Sequence, residues 1–263
     1  MNAVNNETVL ITGASSGIGL ELARCFAADG CRLILVARNT EALETLAKEL
    51  RQARKIEVRV LTADLALPAT PKRIFEELRA AKISVDVLVN NAGFGANGTF
   101  AEIPLARQLE MLQVNITALT ELTGLFLPGM IQRKSGGILN VGSVAGFQPG
   151  PGMTVYYATK AFVLFFTEAL AEELQGAGLK ISVLCPGPTE SNFGNVARGR
   201  KVRQLKTPKM TSEAVAVYGH RAFRNGKITA VPGFQNHLLV FLNRIAPRWF
   251  PRKMVKFYNR TTE

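Results

Sequence analysis

The chain has 263 residues, 47% of them hydrophobic, enough for a sizeable core. Its net charge of +12 is lopsided: residues 1–173 hold 16 basic and 17 acidic side chains, residues 174–263 hold 16 and 3. Three cysteines without pairing or ligand spacing and two distant histidines argue against a disulfide framework, a metal centre and histidine-triad chemistry.

The segment TVLITG (8–13) is a short apolar, β-rich run that stops at glycine, and it reads as a strand. In SSGIGLELARCFAADG, Ile18, Leu22 and Phe26 recur every four residues, as on one helix face. CRLILVAR (31–38) reads as a second buried strand, and NTEALETLAKELRQ (39–52) as a helix with Asn39 or Thr40 as its cap. EVRVLTAD (57–64) is a third strand, PKRIFEELRAA (71–81) a helix and VDVLVNNAG (85–93) a fourth strand. A long helical pattern covers about 105–130, followed by strand GGILNVGS (136–143), a helix over 156–175 and strand KISVLCPG (180–187). Alternation of helices with near-continuous apolar strands predicts an α/β fold: a doubly wound central parallel sheet flanked by helices on both faces. Nothing divides the chain, so one domain over 1–263 is expected.

The turn Gly13-Ala14-Ser15-Ser16-Gly17-Ile18-Gly19 follows a strand and opens a helix. A helix N-terminus offers free N–H groups and partial positive charge, and glycines let a pyrophosphate approach; a plain tight turn is the alternative. About 20 residues on, a dinucleotide site usually places an acid at the end of strand two. Here Ala37 and Arg38 stand there, and a guanidinium suits a 2′-phosphate, or is merely a strand-end arginine. Asp64-Leu65 ends strand three, where the carboxylate can accept from an adenine amino group or close a turn. Asn91, Ala92 and Gly93 end strand four, where small residues and amides suit close backbone contact with a ligand.

Taken together, TGASSGIG, NNAG, Ser143, YYATK and PGPT stand in an order and at spacings that resemble the short-chain dehydrogenase/reductase family over about residues 7–190. The resemblance implies a Rossmann fold, an NAD(P)(H) cofactor, with Arg38 favouring NADP(H), and hydride transfer between nicotinamide and a carbonyl or alcohol carbon. It implies a cofactor-binding half at about 7–150 and a catalytic and substrate part at about 136–240. It pairs Tyr156 with Lys160, one helical turn apart, as acid/base. Tyr157 points about 100° away and is expected to pack or to line the substrate cleft. The Lys160 ammonium, with the positive charge of the oxidised nicotinamide, is expected to lower the Tyr156 pKa, and Lys160 also to hold the nicotinamide ribose. Ser143 is expected to hydrogen-bond the substrate oxygen, and Asn115 to hold a water that relays protons to Lys160. Pro186, Gly187, the backbone near Pro188 and the Thr189 side chain are expected to hold the carboxamide.

Six basic residues (Arg198, Arg200, Lys201, Arg203, Lys206 and Lys209) fall in a region that is often a substrate lid in this family; they suit an anionic substrate such as an acyl thioester, or form a solvated loop. The tail 241–263 interleaves aromatic and basic residues; packing on the domain or a partner subunit is expected, with peripheral membrane contact as the alternative. The N-terminus lacks the basic and apolar pattern of a secretory signal, so a cytoplasmic protein is expected. The resemblance also implies a homodimer or homotetramer acting on a 3-oxoacyl thioester, a steroid or retinoid, or another ketone or aldehyde. Against this stand a non-catalytic dinucleotide sensor on the same fold, which an intact Ser/Tyr/Lys set disfavours, and a nucleic-acid binder, which no motif supports.

Overall fold

Seven parallel strands carry the architecture in this computed structural model, which describes residues 6–190 and 209–259. In chain order they are β1 (Thr8–Thr12), β2 (Arg32–Ala37), β3 (Val58–Thr62), β4 (Val87–Asn90), β5 (Gly137–Val141), β6 (Lys180–Leu184) and, after a short parallel pair β7 (Thr189–Glu190) and β8 (Met210–Thr211), β9 (Thr229–Ala230). Their order across the sheet is β3-β2-β1-β4-β5-β6-β9. The chain thus winds outward from β1 in one direction and then in the other, leaving a switch point between β1 and β4.

Alternate residues of each strand reach opposite layers. Val9, Ile11, Leu33 and Leu35 pack with α1 (Gly17–Ala28), α2 (Thr40–Arg54) and α7 (Ser212–Arg224). Leu10, Ile34 and Leu88 pack with α3 (Thr70–Ala80) and α5 (Ala118–Arg133). This is the doubly wound Rossmann arrangement expected from the alternating pattern. Asn39 rather than Thr40 caps α2, its side chain accepting the N–H of Ala42 at 3.0 Å.

The expected long helix over 105–130 is divided. Between α4 (Leu105–Leu112) and α5 lies a wider π turn, Gln113–Thr117, centred on Asn115. The whole run Leu105–Arg133 is long and apolar enough to cross a membrane by composition, yet Ala118, Leu122, Phe126 and Met130 are buried against the sheet. After α6 (Thr154–Glu173) the layers close with α7. The tail forms two further helices, α8 (Phe234–Ile245) and α9 (Trp249–Tyr258). Pro247 separates them, and Pro251 sits in the first turn of α9, where a missing N–H costs little.

A buried polar chain crosses the sheet. Asn90 Nδ2 donates to Thr123 Oγ1 at 3.2 Å and to Asn140 Oδ1 at 2.9 Å, and Asn140 Nδ2 donates to Thr167 Oγ1 at 2.9 Å. These groups tie α5, β4, β5 and α6 together behind the carboxyl edge of the sheet, where the site lies.

Candidate active site

At the switch point the carboxyl ends of the strands open into a cavity of about 910 Å³. Gly13, Ser15, Ser16, Gly17 and Ile18 line it, as do Arg38, Asp64, Leu65, Asn91, Ala92 and Gly93. Ser143, Tyr156, Lys160, Pro186, Gly187, Pro188 and Thr189 line it as well. Residues separated by up to 176 positions in sequence are therefore brought to one crevice.

The glycine turn has backbone angles that side chains rarely adopt, with φ of +67° at Gly13 and +59° at Gly17. Gly19 is not among the lining residues: a Cβ there would collide with the Asn91 amide and the Gly13 carbonyl, so its absence lets α1 pack against the end of β4. Asn91 Nδ2 donates to the carbonyls of Thr12 and Gly13 at 2.8 and 3.1 Å, and the N–H groups of Asn91 and Ala92 both donate to Thr12 Oγ1 at 3.0 Å. Ser16, the residue before α1, makes no side-chain capping bond, so the first N–H groups of this helix are left for what the cavity holds. An uncapped, positively polarised helix end inside a glycine cradle fits a pyrophosphate.

Arg38 is exposed at the end of β2 and makes no ion pair with a described residue. Asp64 Oδ1 accepts the N–H of Ala66 at 3.0 Å, a turn contact that leaves its second carboxylate oxygen for another donor. Thr189 Oγ1 donates to the Gly187 carbonyl at 2.9 Å, closing the turn at the other end of the cavity. The set fits a nicotinamide dinucleotide: helix end and glycines for phosphates, Arg38 and Asp64 at one extreme, Tyr156, Lys160 and the 186–189 turn at the other.

Ser143 ends β5, Tyr156 and Lys160 lie on α6, and the Ser143 side chain hydrogen-bonds the Tyr156 phenol. Lys160 is buried; its Nζ donates to the Val141 carbonyl at 2.7 Å and lies 5.9 Å from the centre of the Tyr156 ring. Burial lowers its pKa from 10.5 to about 8, so it is mainly an ammonium at neutral pH. The chain's own groups alone do not acidify Tyr156. Burial pushes this phenol above its ordinary value, and the Ser143 hydrogen bond pulls it back in part. Removing the phenol from water outweighs the Ser143 hydrogen bond. Tyr156 therefore holds its proton at neutral pH.

Tyr157 shows the other fate of a tyrosine on α6. Its ring stands 80° from that of Tyr156 at 6.0 Å, packs against Gly150, and its side chain hydrogen-bonds Asn259 beyond the end of α9. It also lines the cavity.

Asn115 is buried behind the lining. Its Nδ2 donates to the Phe94 carbonyl at 2.9 Å and to Thr159 Oγ1 at 3.0 Å, and its Oδ1 accepts the N–H of Phe94 at 3.1 Å. The side chain braces the loop after β4 against α6. Asn115 sits in the π turn, where the helical ladder changes step.

Among the lining residues that sequence reasoning missed are Phe94, Glu110, Val114, Met153 and Glu190. No local spacing marks them; Phe94, for example, is held by Asn115 on one side and by the Arg107 guanidinium, 3.9 Å from its ring centre, on the other. Of the basic loop, Lys209 lines the cavity, whereas Arg198, Arg200, Lys201, Arg203 and Lys206 lie outside the described residues.

The family model for short chain dehydrogenase matches residues 7–201. Ketoacyl reductase HetN of Nostoc is 32% identical over 267 residues, covering 95% of this chain and 91% of the relative. Sulfoacetaldehyde reductase 2 of Chromohalobacter salexigens is 41% identical over 196 residues, covering 74% of this chain and 77% of the relative. Among solved structures, a short-chain dehydrogenase from Sphingobium yanoikuyae in complex with NADPH superposes with a TM-score of 0.79 at 34% identity, covering 95% of this chain and 94% of that one.

Proposed function

Because the chain belongs to the short-chain dehydrogenase/reductase family of oxidoreductases, we propose that it is an NADP(H)-dependent carbonyl reductase with Tyr156 as its proton donor. The observation that carries this reading is the Ser143–Tyr156 hydrogen bond beside buried Lys160, in a cavity whose strand-two end presents Arg38 in place of an acid.

The bound nicotinamide supplies the hydride. The chain's own groups handle the rest. Tyr156, kept protonated by burial, gives its proton to the carbonyl oxygen as negative charge develops there. The Ser143 hydroxyl, hydrogen-bonded to the phenol and here 3.4 Å from the Pro186 carbonyl, turns to donate to the same oxygen and then to the phenolate. The Lys160 ammonium, anchored on the Val141 carbonyl, stabilises that phenolate once it forms. Asn115 positions both the loop after β4 and, through Thr159, the helix that carries the pair. Arg38 supports NADP(H) over NAD(H), since a guanidinium there attracts a 2′-phosphate.

A 3-oxoacyl thioester is the substrate class best supported, by the near-complete match to a ketoacyl reductase. A small aldehyde is a second reading, favoured by the 41% identity to sulfoacetaldehyde reductase 2. Exposed Leu105 and Leu109 on α4 and Phe162 and Phe165 on α6 support assembly into a homodimer or homotetramer. NADPH oxidation is to be followed with 3-oxoacyl thioesters, steroids and small aldehydes and ketones in parallel. Turnover greatest with the thioesters is expected; failure to bind either dinucleotide overturns the whole reading.

A further inference from the structure

The two C-terminal helices carry apolar residues on their outer side. On α8, Phe234, Leu238, Phe241, Leu242 and Ile245 recur along one helical stripe, and all are exposed, Phe234 at 81% and Ile245 at 64%. The face turned to the protein is partly polar. Asn236 donates to the Pro232 carbonyl at 2.6 Å and abuts Gly187, while Asn243 donates to Gln148 at 2.8 Å. On α9, Pro251 and Val255 are buried, and exposed Trp249, Phe250 and Phe257 share the outer side with Lys253 and Lys256. Lys253 Nζ lies 5.5 Å from the Trp249 ring centre. Both helices are tied to one loop, since Asn259 donates to the Pro151 carbonyl at 2.9 Å three residues from the Gln148 contact.

An apolar stripe of this extent needs a partner, and charge selects among the candidates. Residues 214–262 contain no aspartate or glutamate, whereas α8 and α9 and their link carry Arg244, Arg248, Arg252, Lys253 and Lys256. A symmetric contact between two copies would set these five cations against the same five. Nucleic acid would satisfy the charge but not the aliphatic stripe of α8. Aromatic and aliphatic residues flanked by long cations, with aliphatic stems lying along apolar surface and ammonium groups at the headgroups, match a lipid–water interface.

We propose that the outer faces of α8 and α9 dock on an anionic phospholipid bilayer. On the inner face of α8 Asn236 abuts Gly187, and just past the end of α9 Asn259 hydrogen-bonds Tyr157; Gly187 and Tyr157 both line the cavity. Docking therefore brings the bilayer to within about one helix diameter, roughly 10 Å, of the catalytic crevice. An apolar carbonyl substrate dissolved in lipid reaches the site without crossing much water.

The test is flotation of the full chain, saturated with NADPH, with vesicles of phosphatidylcholine alone or mixed with phosphatidylglycerol. The protein floats with the mixed vesicles, and high salt weakens this. Lys253→Glu with Lys256→Glu lowers partitioning by about tenfold or more. Phe241→Ser with Ile245→Ser, on exposed positions of the other helix, lowers it similarly with an unchanged melting curve. Failure to float with mixed vesicles overturns the proposal, as does equal binding to phosphatidylcholine alone or unchanged binding of the charge-reversed variant. A variant that changes the assembled mass in light scattering but not flotation assigns the surface to a protein contact, which also overturns it. The assay reads partitioning rather than turnover, so the docking and reductase readings fail separately.

Discussion

At the carboxyl edge of β5 the chain buries a lysine, an asparagine and two threonines; on its C-terminal helices it exposes a tryptophan and four phenylalanines. The two regions invert the usual distribution in opposite senses, and the difference lies in their partners. Lys160, Asn115, Thr159 and Thr167 each make a hydrogen bond within the protein, which offsets much of the cost of leaving water. The aromatic residues of α8 and α9 keep much of their surface in contact with solvent, as if reserved for something outside the fold.

The largest expected effect separates the two tyrosines. Tyr156→Phe should lower turnover by about a thousandfold, since it removes the acid, and Tyr157→Phe by less than about tenfold. Equal losses would break the distinction between the buried acid and its neighbour. Lys160→Met should nearly abolish turnover while raising stability by about 3 kcal/mol near neutral pH, because a desolvated cation is replaced by a hydrophobe. The sign is fixed by the shift from 10.5 to about 8: between these values the unfolded chain holds a proton that the folded chain has released. Wild-type stability should therefore gain an increment as pH rises through that window, absent from the Met variant, with the penalty fully present below it. Thermal melts of both proteins across this range check it; a less stable Met variant would show that the Val141 hydrogen bond outweighs desolvation.

Arg38 sharpens the comparison as an exposed charge at the mouth of the site. Arg38→Ala should cut the preference for NADPH over NADH by about tenfold or more, read by titrating both dinucleotides. The smallest effect belongs to the tail. Leu238→Ser on α8 should change stability by less than about 0.5 kcal/mol, whereas Leu43→Ala in the buried face of α2 should cost about 2–5 kcal/mol. Comparable losses in denaturant melts would mean that the α8 stripe is not a free surface.

The strands and most helices were legible because apolar period survives in a single chain. β1, β2 and β5 are buried along all or nearly all their length, and α2 repeats Leu43, Leu46, Ala47 and Leu50 toward the sheet. β9 was not legible, since two residues, Thr229–Ala230, cannot show a period. The π turn around Asn115 was not read from the sequence, and the clasp of Asn115 on Phe94 depends on a loop 21 residues away. The link between Asn259 and Tyr157 spans 102 positions and leaves no trace in either local stretch. The amphipathic pattern of α8 was present in the sequence; periodicity defines a stripe, not what covers it. Burial was the quantity that mattered for Tyr156, and spacing to Lys160 could not supply it.

The paired amides of Asn90 and Asn140 bear on how the strands find one another. β4 and β5, VLVN and GILNV, align Asn90 with Asn140 in the folded protein. Sliding one strand by two residues would keep every side chain on its present layer, so hydrophobic alternation alone cannot reject the mistake. It would, however, bring Asn90 opposite Ile138 or Gly142 and strand both amides among aliphatic groups, at about 1–3 kcal/mol for each unmet polar group. One interstrand amide contact thus acts as a ratchet tooth, proofreading the alignment on which the spacing of Ser143 from Tyr156 ultimately rests.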